Sequence, residues 1–260
     1  MDETDPEGLR ATLEAVAAGE LSTAAAEARL AGYATTDAGR FDAARETRRG
    51  VPEAILGDGK TADEVASLAA TALETAGRAI VTRLADDAAT VVETELDDEH
   101  AVTRDARART LVAHAPSFEP PDLDATVGVV TGGTSDAPVA GEAAVVAREM
   151  GATVDWIEDV GVAHIGRSLD QVERLRETDA LVVAAGREGA LPTVLAGLVN
   201  TPVIGLPVST GYGFGGEGEA ALAGMLQSCT VLSVVNVDAG FVAGAQAGLI
   251  ARAVGTAREA

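Results

Sequence analysis

Val127-Gly-Val-Val-Thr-Gly-Gly-Thr-Ser-Asp136, followed by Ala137, Pro138 and an alanine-rich run from Val139 to Met150, decides how this chain is read. An apolar run of strand length passes through two glycines into a stretch of helical composition. Gly132 and Gly133 let the backbone approach a ligand closely. Ser135 or Asp136 offers an oxygen to cap the helix, and Pro138 fits a first helical turn, where no intrahelical donor is needed. A strand that delivers free amides and a helix amino terminus at its carboxyl end is where α/β proteins hold phosphates. The same turn serves equally well as a plain strand-to-helix joint. No Gly-Lys-Ser/Thr closes it, so it is not a nucleoside triphosphate loop.

Outward from this turn the pattern repeats. Strands are predicted over 126–132, 152–157, 180–185, 202–208 and 231–237, and helices over 138–150, 169–177, 190–199, 218–227 and 240–254. Alternating βα units rich in valine, isoleucine, leucine and alanine imply an α/β fold: a doubly wound parallel five-stranded sheet with helices on both faces, three αβα layers. Ser168-Leu-Asp-Gln171 reads as a capping box that opens the second helix. The loops that follow the strands converge on one edge: Gly132 to Asp136, Glu158 to Arg167, Gly186-Arg-Glu-Gly-Ala-Leu-Pro192, and Ser209 to Gly218. The last contains Gly211-x-Gly213-x-x-Gly216, with Asp238 closing the next strand. That spacing imitates a dinucleotide fingerprint, but the true motif opens the first βα unit.

Several side chains at this edge have two readings. Glu188 and Asp136 either answer the positive end of a helix or act as a base. Cys229, between a helix and the last strand, is at a position where a free cysteine is most often a small buried hydrophobe, and a helix carboxyl end does not lower a thiol pKa. His164 is the one histidine in these loops; with a single cysteine and no histidine pair, no structural zinc site is expected.

The balance of 19 basic against 41 acidic residues, a net charge of -22, argues against nucleic acid and anionic membranes as partners. Lys60 is the one lysine, every other basic residue being arginine. Such a surface is what high salt favours, because self-repulsion is screened there. The lone cysteine excludes an internal disulfide, and no signal-peptide or membrane-spanning pattern is present, so a soluble, cytoplasmic protein is expected.

The amino-terminal part reads as a mixed α/β domain over 1–115. It has two short helices broken near Gly19, a capping box at Thr61-Ala-Asp-Glu64 that starts a helix to about Ala76, a strand from Ala79, a segment 86–96 open between helix and strand, and a strand over 109–113. Arg45, Arg48, Arg49 and Lys60 cluster with Glu53 in the window 45–61, either for anion binding or for structural ion pairing. Prolines 116, 120 and 121 mark a linker over 116–125, and the catalytic domain is expected over 126–260.

From Val127 to about Ala253 the chain resembles the PurE-like carboxylase superfamily, which includes the aminoimidazole ribonucleotide mutases and carboxylases of purine synthesis. Those enzymes carry a contiguous Ala-His-Arg, where this chain has Ala163-His164-Ile165-Gly166-Arg167. The fuller resemblance is to the LarB family of nickel-pincer cofactor biosynthesis. It is carried by Thr134-Ser-Asp136-x-Pro138, Asp159-Val-Gly-Val-Ala163, Glu188-Gly-Ala-Leu-Pro192, Gly211-Tyr-Gly213, Met225-Leu-x-Ser-Cys229 and Asn236-x-Asp238-x-Gly240-Phe241, and by Arg48-x-Gly50-x-Pro52-Glu53 with Gly57-x-Gly59-Lys60-Thr61. LarB proteins usually place a histidine beside the loop arginine, where Gly166 stands here.

The resemblance implies a flavodoxin-like catalytic domain that carboxylates nicotinic acid adenine dinucleotide at ring carbon 5, with CO2 or bicarbonate as the other substrate, and hydrolyses its phosphoanhydride to AMP. Cys229 would be the covalent nucleophile, Glu188 the base with Asp136 second, and Ser135 with the glycine amides the anion holder. Gly133, Thr134, His164, Arg167, Gly186, Gly189, Gly211, Gly213 and Asp238 would surround the substrate, and Arg48 and Lys60 would steady its diphosphate. No cofactor beyond substrate is expected to be required, although two neighbouring carboxylates would admit Mg2+. A homo-oligomer, as large as an octamer, is expected, with the alanine- and glycine-rich helix from Phe241 to Val254 supporting close packing between subunits. The alternatives are a purine-pathway carboxylase or mutase, and a non-enzymatic nucleotide-binding regulator.

Overall fold

The structure is a computed structural model that describes residues 6–96 and 100–260. Two compact units make up the chain: one runs to Asp105 and includes Leu111–Glu119, and the other joins Ala106–Thr110 to Pro120–Ala260. Residues 1–5 and 97–99, part of the domain expected over 1–115, lie outside the described residues.

In the first unit, α1 (Pro6–Ala17) and α2 (Thr23–Ala31) flank the expected break near Gly19. A two-stranded ribbon follows, β1 (Ala34–Thr36) and β2 (Gly39–Phe41), then α3 (Arg45–Arg49). Strand β3 (Ile55–Leu56) leads into α4 (Ala62–Ala76). The hydroxyl of Thr61 accepts from the Glu64 amide at 3.3 Å and the Glu64 carboxylate accepts from the Thr61 amide at 2.8 Å, the reciprocal cap expected there. Then come β4 (Arg78–Thr82), α5 (Asp86–Glu95), β5 (Ala101–Asp105) and β6 (Thr110–His114), so the open segment 86–96 is helical. The four-stranded sheet runs β3-β4-β6-β5, and α4 lays Val65, Ala69 and Ala72 on Ala79, Val81 and Leu111. At the end of this unit Phe118 stacks on His114 with ring centroids 5.0 Å apart.

The second unit alternates β7 (Thr126–Thr131), α6 (Ala137–Glu149), β8 (Thr153–Ile157), α7 (Ile165–Leu169), α8 (Val172–Arg176), β9 (Ala180–Ala185), α9 (Ala190–Ala196), β10 (Val203–Pro207), α10 (Glu219–Leu226), β11 (Ser233–Val234) and α11 (Gly240–Glu259). Every strand pair is parallel, in the order β11-β10-β9-β7-β8. Side chains alternate across β7: Val127 and Val129 pack with Ala140, Ala143, Ala243 and Ala247 of α6 and α11, and Val130 packs with Leu175, Leu191, Leu195 and Met225 of α8, α9 and α10. Helices on both faces of one parallel sheet make three layers, as the apolar strands required.

Three local expectations are corrected. Ser168 does not cap a helix: it is fully buried inside α7, and its hydroxyl donates to the Val160 carbonyl at 2.6 Å. In place of the predicted helix 169–177 stand the end of α7 and the short α8, whose N-cap, Gln171, makes no side-chain cap bond. The strand expected over 231–237 is reduced to Ser233–Val234, because β11 is an edge strand paired on one side only and Val231 stands 96% exposed. The glycine face of α11 packs within the chain. A β-carbon on Gly244 would stand 2.4 Å from the Ala143 carbonyl oxygen, so α6 and α11 touch backbone to backbone.

Candidate functional site

The strand order of the second unit reverses between β7 and β9, and at such a switch point the loops beyond the carboxyl ends diverge and leave a crevice. A cavity of about 450 Å3 opens there. Gly132, Gly133, Ser135 and Asp136 line it from the turn after β7, Gly161, Val162 and Ala163 from the loop after β8 with Arg167 of α7, Gly186, Arg187 and Glu188 from the loop after β9, and Thr210, Gly211 and Tyr212 from the loop after β10. The loops are in direct contact: a β-carbon on Gly211 would meet the Arg187 amide nitrogen at 2.8 Å, so only glycine fits between them. Strain gathers at the same edge. Among the described non-glycine residues with positive φ, Asp159 (58°), Arg187 (50°), Glu217 (57°) and Asp238 (55°) follow strands of this sheet.

Asp136 is the chemical centre of the cavity. It belongs to a single 3-10 turn, Thr134–Asp136, that precedes α6, and it is 5% exposed. Its carboxylate does not cap α6. It accepts from the Gly133 amide at 2.8 Å and from the Thr210 hydroxyl at 3.4 Å. Burial raises the Asp136 pKa above its ordinary value, against the lowering pull of Gly133, Thr210 and the amides of Gly186 and Gly132. The result is a carboxyl that faces a cavity, is fixed by three loops and holds its proton more tightly than a free aspartate.

Glu188 lines the same cavity, is exposed, and stands before Gly189, whose φ of 65° starts α9. Arg167 lines it too, with Nη1 paired to Asp159 at 2.9 Å and a buried Nε that has no hydrogen-bond partner. The Arg187 guanidinium lies 3.8 Å from the centroid of the Tyr212 ring and donates to the Tyr212 hydroxyl at 2.7 Å. Beyond Tyr212, Phe214 is fully exposed.

Several expected site residues stand elsewhere. Thr134, Gly189, Gly213, His164 and Asp238 do not line the cavity. His164 is exposed and folds its ring over Gly166, where an added β-carbon would be 2.8 Å from the imidazole Cε1. Asp238 accepts from the Ser209 amide at 2.9 Å and so anchors the loop that carries Tyr212. Cys229 is exposed, which corrects the buried reading. It lies ahead of β11, whose Ser233 is in register with Ile204 near the start of β10. That places the thiol at the amino end of the sheet, opposite the cavity. In the first unit Arg48 pairs with Asp42 at 2.6 Å and Arg45 with Glu53 at 2.8 Å, the structural alternative for that cluster. Lys60 donates to the Leu56 carbonyl at 2.9 Å and lines a separate cavity of about 340 Å3. A further cavity, about 640 Å3, also belongs to that unit, and its charged walls include the ion-paired Asp42, Glu46, Glu53 and Arg78. Among the described residues no group of three or more His, Cys, Asp or Glu side chains is placed to hold a metal ion, and no helix is long and apolar enough to cross a membrane.

Thr210, Arg187 and Tyr212 were not singled out from sequence. The signal for Tyr212 was present: the whole chain has two tyrosines and four phenylalanines, and one of each falls in this glycine loop.

Residues 33–115 match the family model of the LarB/PurE-like N-terminal domain, and residues 126–260 match that of AIR carboxylase. An uncharacterized protein of Methanocaldococcus jannaschii is 38% identical over 224 residues, 82% of this chain and 84% of that one. The N5-carboxyaminoimidazole ribonucleotide mutase of Thermotoga maritima is 35% identical over 88 residues, 32% of this chain and 50% of that one. A crystal structure of PurE from Treponema denticola aligns with a TM-score of 0.37 at 15% identity, covering 52% of this chain and 95% of that one. With both family models matched in this order, the chain belongs to the LarB-like family of carboxylase-type enzymes, in which a LarB/PurE-like amino-terminal domain precedes an AIR carboxylase domain.

Proposed function

We propose that the chain carboxylates the pyridinium ring of nicotinic acid adenine dinucleotide at carbon 5 and hydrolyses the phosphoanhydride, releasing AMP and pyridinium-3,5-biscarboxylic acid mononucleotide. The observation that carries this reading is Asp136, a buried carboxyl of raised pKa that faces a cavity rimmed by amides and by Arg167 and Arg187. A pyridinium is electron-poor and does not attack CO2. A thiolate that adds to ring carbon 4 makes a neutral dihydropyridine whose carbon 5 is enamine-like and bonds to the carbon of CO2. A base then takes the proton from carbon 5, the ring electrons expel the thiolate, and aromaticity returns. Asp136 suits that proton transfer better than Glu188, the first choice from sequence, because its pKa is raised and three loops hold it in place. The Gly132 amide donates to the Ala184 carbonyl and the Gly133 amide to Asp136, so Ser135 and the arginines of the rim are the groups that would hold a carboxylate or phosphate.

Cys229 is the one thiol, and the cavity lies at the other edge of its own sheet. The covalent route therefore uses Cys229 of a second copy. Its surroundings suit a contact between copies: Leu226 and Val231 are 65% and 96% exposed on the same segment. The test supplies nicotinic acid adenine dinucleotide and bicarbonate to the purified chain in high salt, with mass spectrometry of the products. AMP and a doubly carboxylated mononucleotide are expected, and neither should form with Cys229→Ser. Release of neither by the parent chain sinks the proposal. The local match to the Thermotoga mutase supports a second reading, carboxylation or mutase chemistry on aminoimidazole ribonucleotide; turnover of that compound unchanged by Cys229→Ala would favour it.

A further inference from the structure

From the geometry of Arg187 and Tyr212 we infer that this pair reads the ring of the substrate: the Tyr212 face receives a planar cation, and Arg187 receives the carboxylate attached to it. The inference rests on the pyridine dinucleotide reading above and adds what selects the ring's charge state and its substituent.

The Tyr212 face is covered by a cation of the protein's own. The Arg187 guanidinium carbon lies 3.8 Å from the Tyr212 ring centroid, with the hydroxyl bond at 2.7 Å, and among the described residues it meets no carboxylate. A chain with 41 acidic residues has left this arginine to an aromatic ring. Both residues are exposed, Tyr212 by 73%, and both line the cavity that holds Asp136. An exposed cation–aromatic contact is weak, so the guanidinium exchanges readily for another planar cation. Arg187 is held at a φ of 50° beside Gly211, and Tyr212 is the next residue along from that glycine. The pair is thus set by the backbone of two touching loops and stays opposed when the side chains part. A pyridinium-3-carboxylate presents a ring cation to the Tyr212 face and an anion to the released fork of Arg187. A ring that carries an amide in place of the acid offers the arginine no anion, and a reduced ring offers the tyrosine no cation.

The test measures calorimetric dissociation constants in high salt with the full chain carrying Cys229→Ser, so that covalent addition contributes nothing. Three probes differ only at the ring: nicotinic acid adenine dinucleotide (cation with carboxylate), NAD+ (cation with amide) and NADH (neutral ring with amide). The parent is expected to prefer NAD+ to NADH by about 3- to 30-fold, and nicotinic acid adenine dinucleotide to NAD+. Tyr212→Leu should abolish the first preference while Tyr212→Phe retains it. Arg187→Gln should abolish the second preference and leave the first. Equal affinity of the parent for NAD+ and NADH overturns the inference without any variant, as does a preference that survives Tyr212→Leu. A parent that selects the cationic carboxylate ring yet releases no AMP when Cys229 is restored sinks the reaction proposed above and leaves this recognition standing. A chain that carboxylates the dinucleotide but whose ratios ignore both variants does the reverse.

Discussion

Asp136 couples the chemistry of the cavity to the stability of the second unit. Its carboxyl is raised by burial, so between the unperturbed value of about 3.9 and its own raised value the folded chain binds more protons than the unfolded one. Stability therefore falls as pH rises through that window, and the full cost is present above it. Asp136→Asn removes the cost. The variant is expected to melt above its parent at neutral pH, with the gap closing as pH approaches about 3.9, and to lose ~10²–10⁴-fold in turnover if Asp136 is the base. Thermal unfolding across that pH range checks the first part, and a gap that ignores pH would contradict it. Asp136 and the glycines before it were legible because an apolar run followed by Gly-Gly and an acid is a local signal. Thr210, Arg187 and Tyr212 were not, because what makes them matter is contact between loops after different strands, which leaves no mark at any one position. His164 shows the same limit: only the structure places its ring over Gly166.

Helix ends show where local patterns decide and where packing overrides them. Thr61-x-x-Glu64 and Ser168-x-x-Gln171 look alike as letters. At Thr61 the hydroxyl accepts from the Glu64 amide and caps α4. At Ser168 the carbonyl of Val160, eight residues earlier, takes the hydroxyl into the interior. Ser168→Ala is therefore expected to cost about 1–3 kcal/mol by orphaning a buried carbonyl, the range set by unmade hydrogen bonds. Denaturant unfolding measures it, and a loss of only a few tenths would mean that Val160 finds another donor. The α6 and α11 pair was legible only as composition. Small residues permit close approach without naming the partner, and at Gly244 the close approach is to α6 of the same chain. Gly244→Val pushes a side chain against the Ala143 carbonyl and should destabilise the second unit by at least ~1–3 kcal/mol. An unchanged unfolding midpoint would show that the two helices part easily.

For the chain as a body, the order of strands and helices in the second unit followed from periodicity, because five apolar strands between helical stretches leave few topologies. The short strands of the first unit, two and three residues long in β1, β2 and β3, fall below what periodicity can detect. Topology also fixes what no single motif revealed. A parallel sheet sends every strand the same way, so a residue ahead of the fifth strand and a loop behind the first cannot meet inside one molecule. In the reaction proposed above, the sulfur and the acid would therefore come from different copies of the chain. Two preparations, each dead through loss of Cys229 or of Asp136 alone, should heal one another once dissociated, blended in equal parts and reassembled, with about one pocket in four carrying both intact groups. The recovered turnover counts how often unlike neighbours meet.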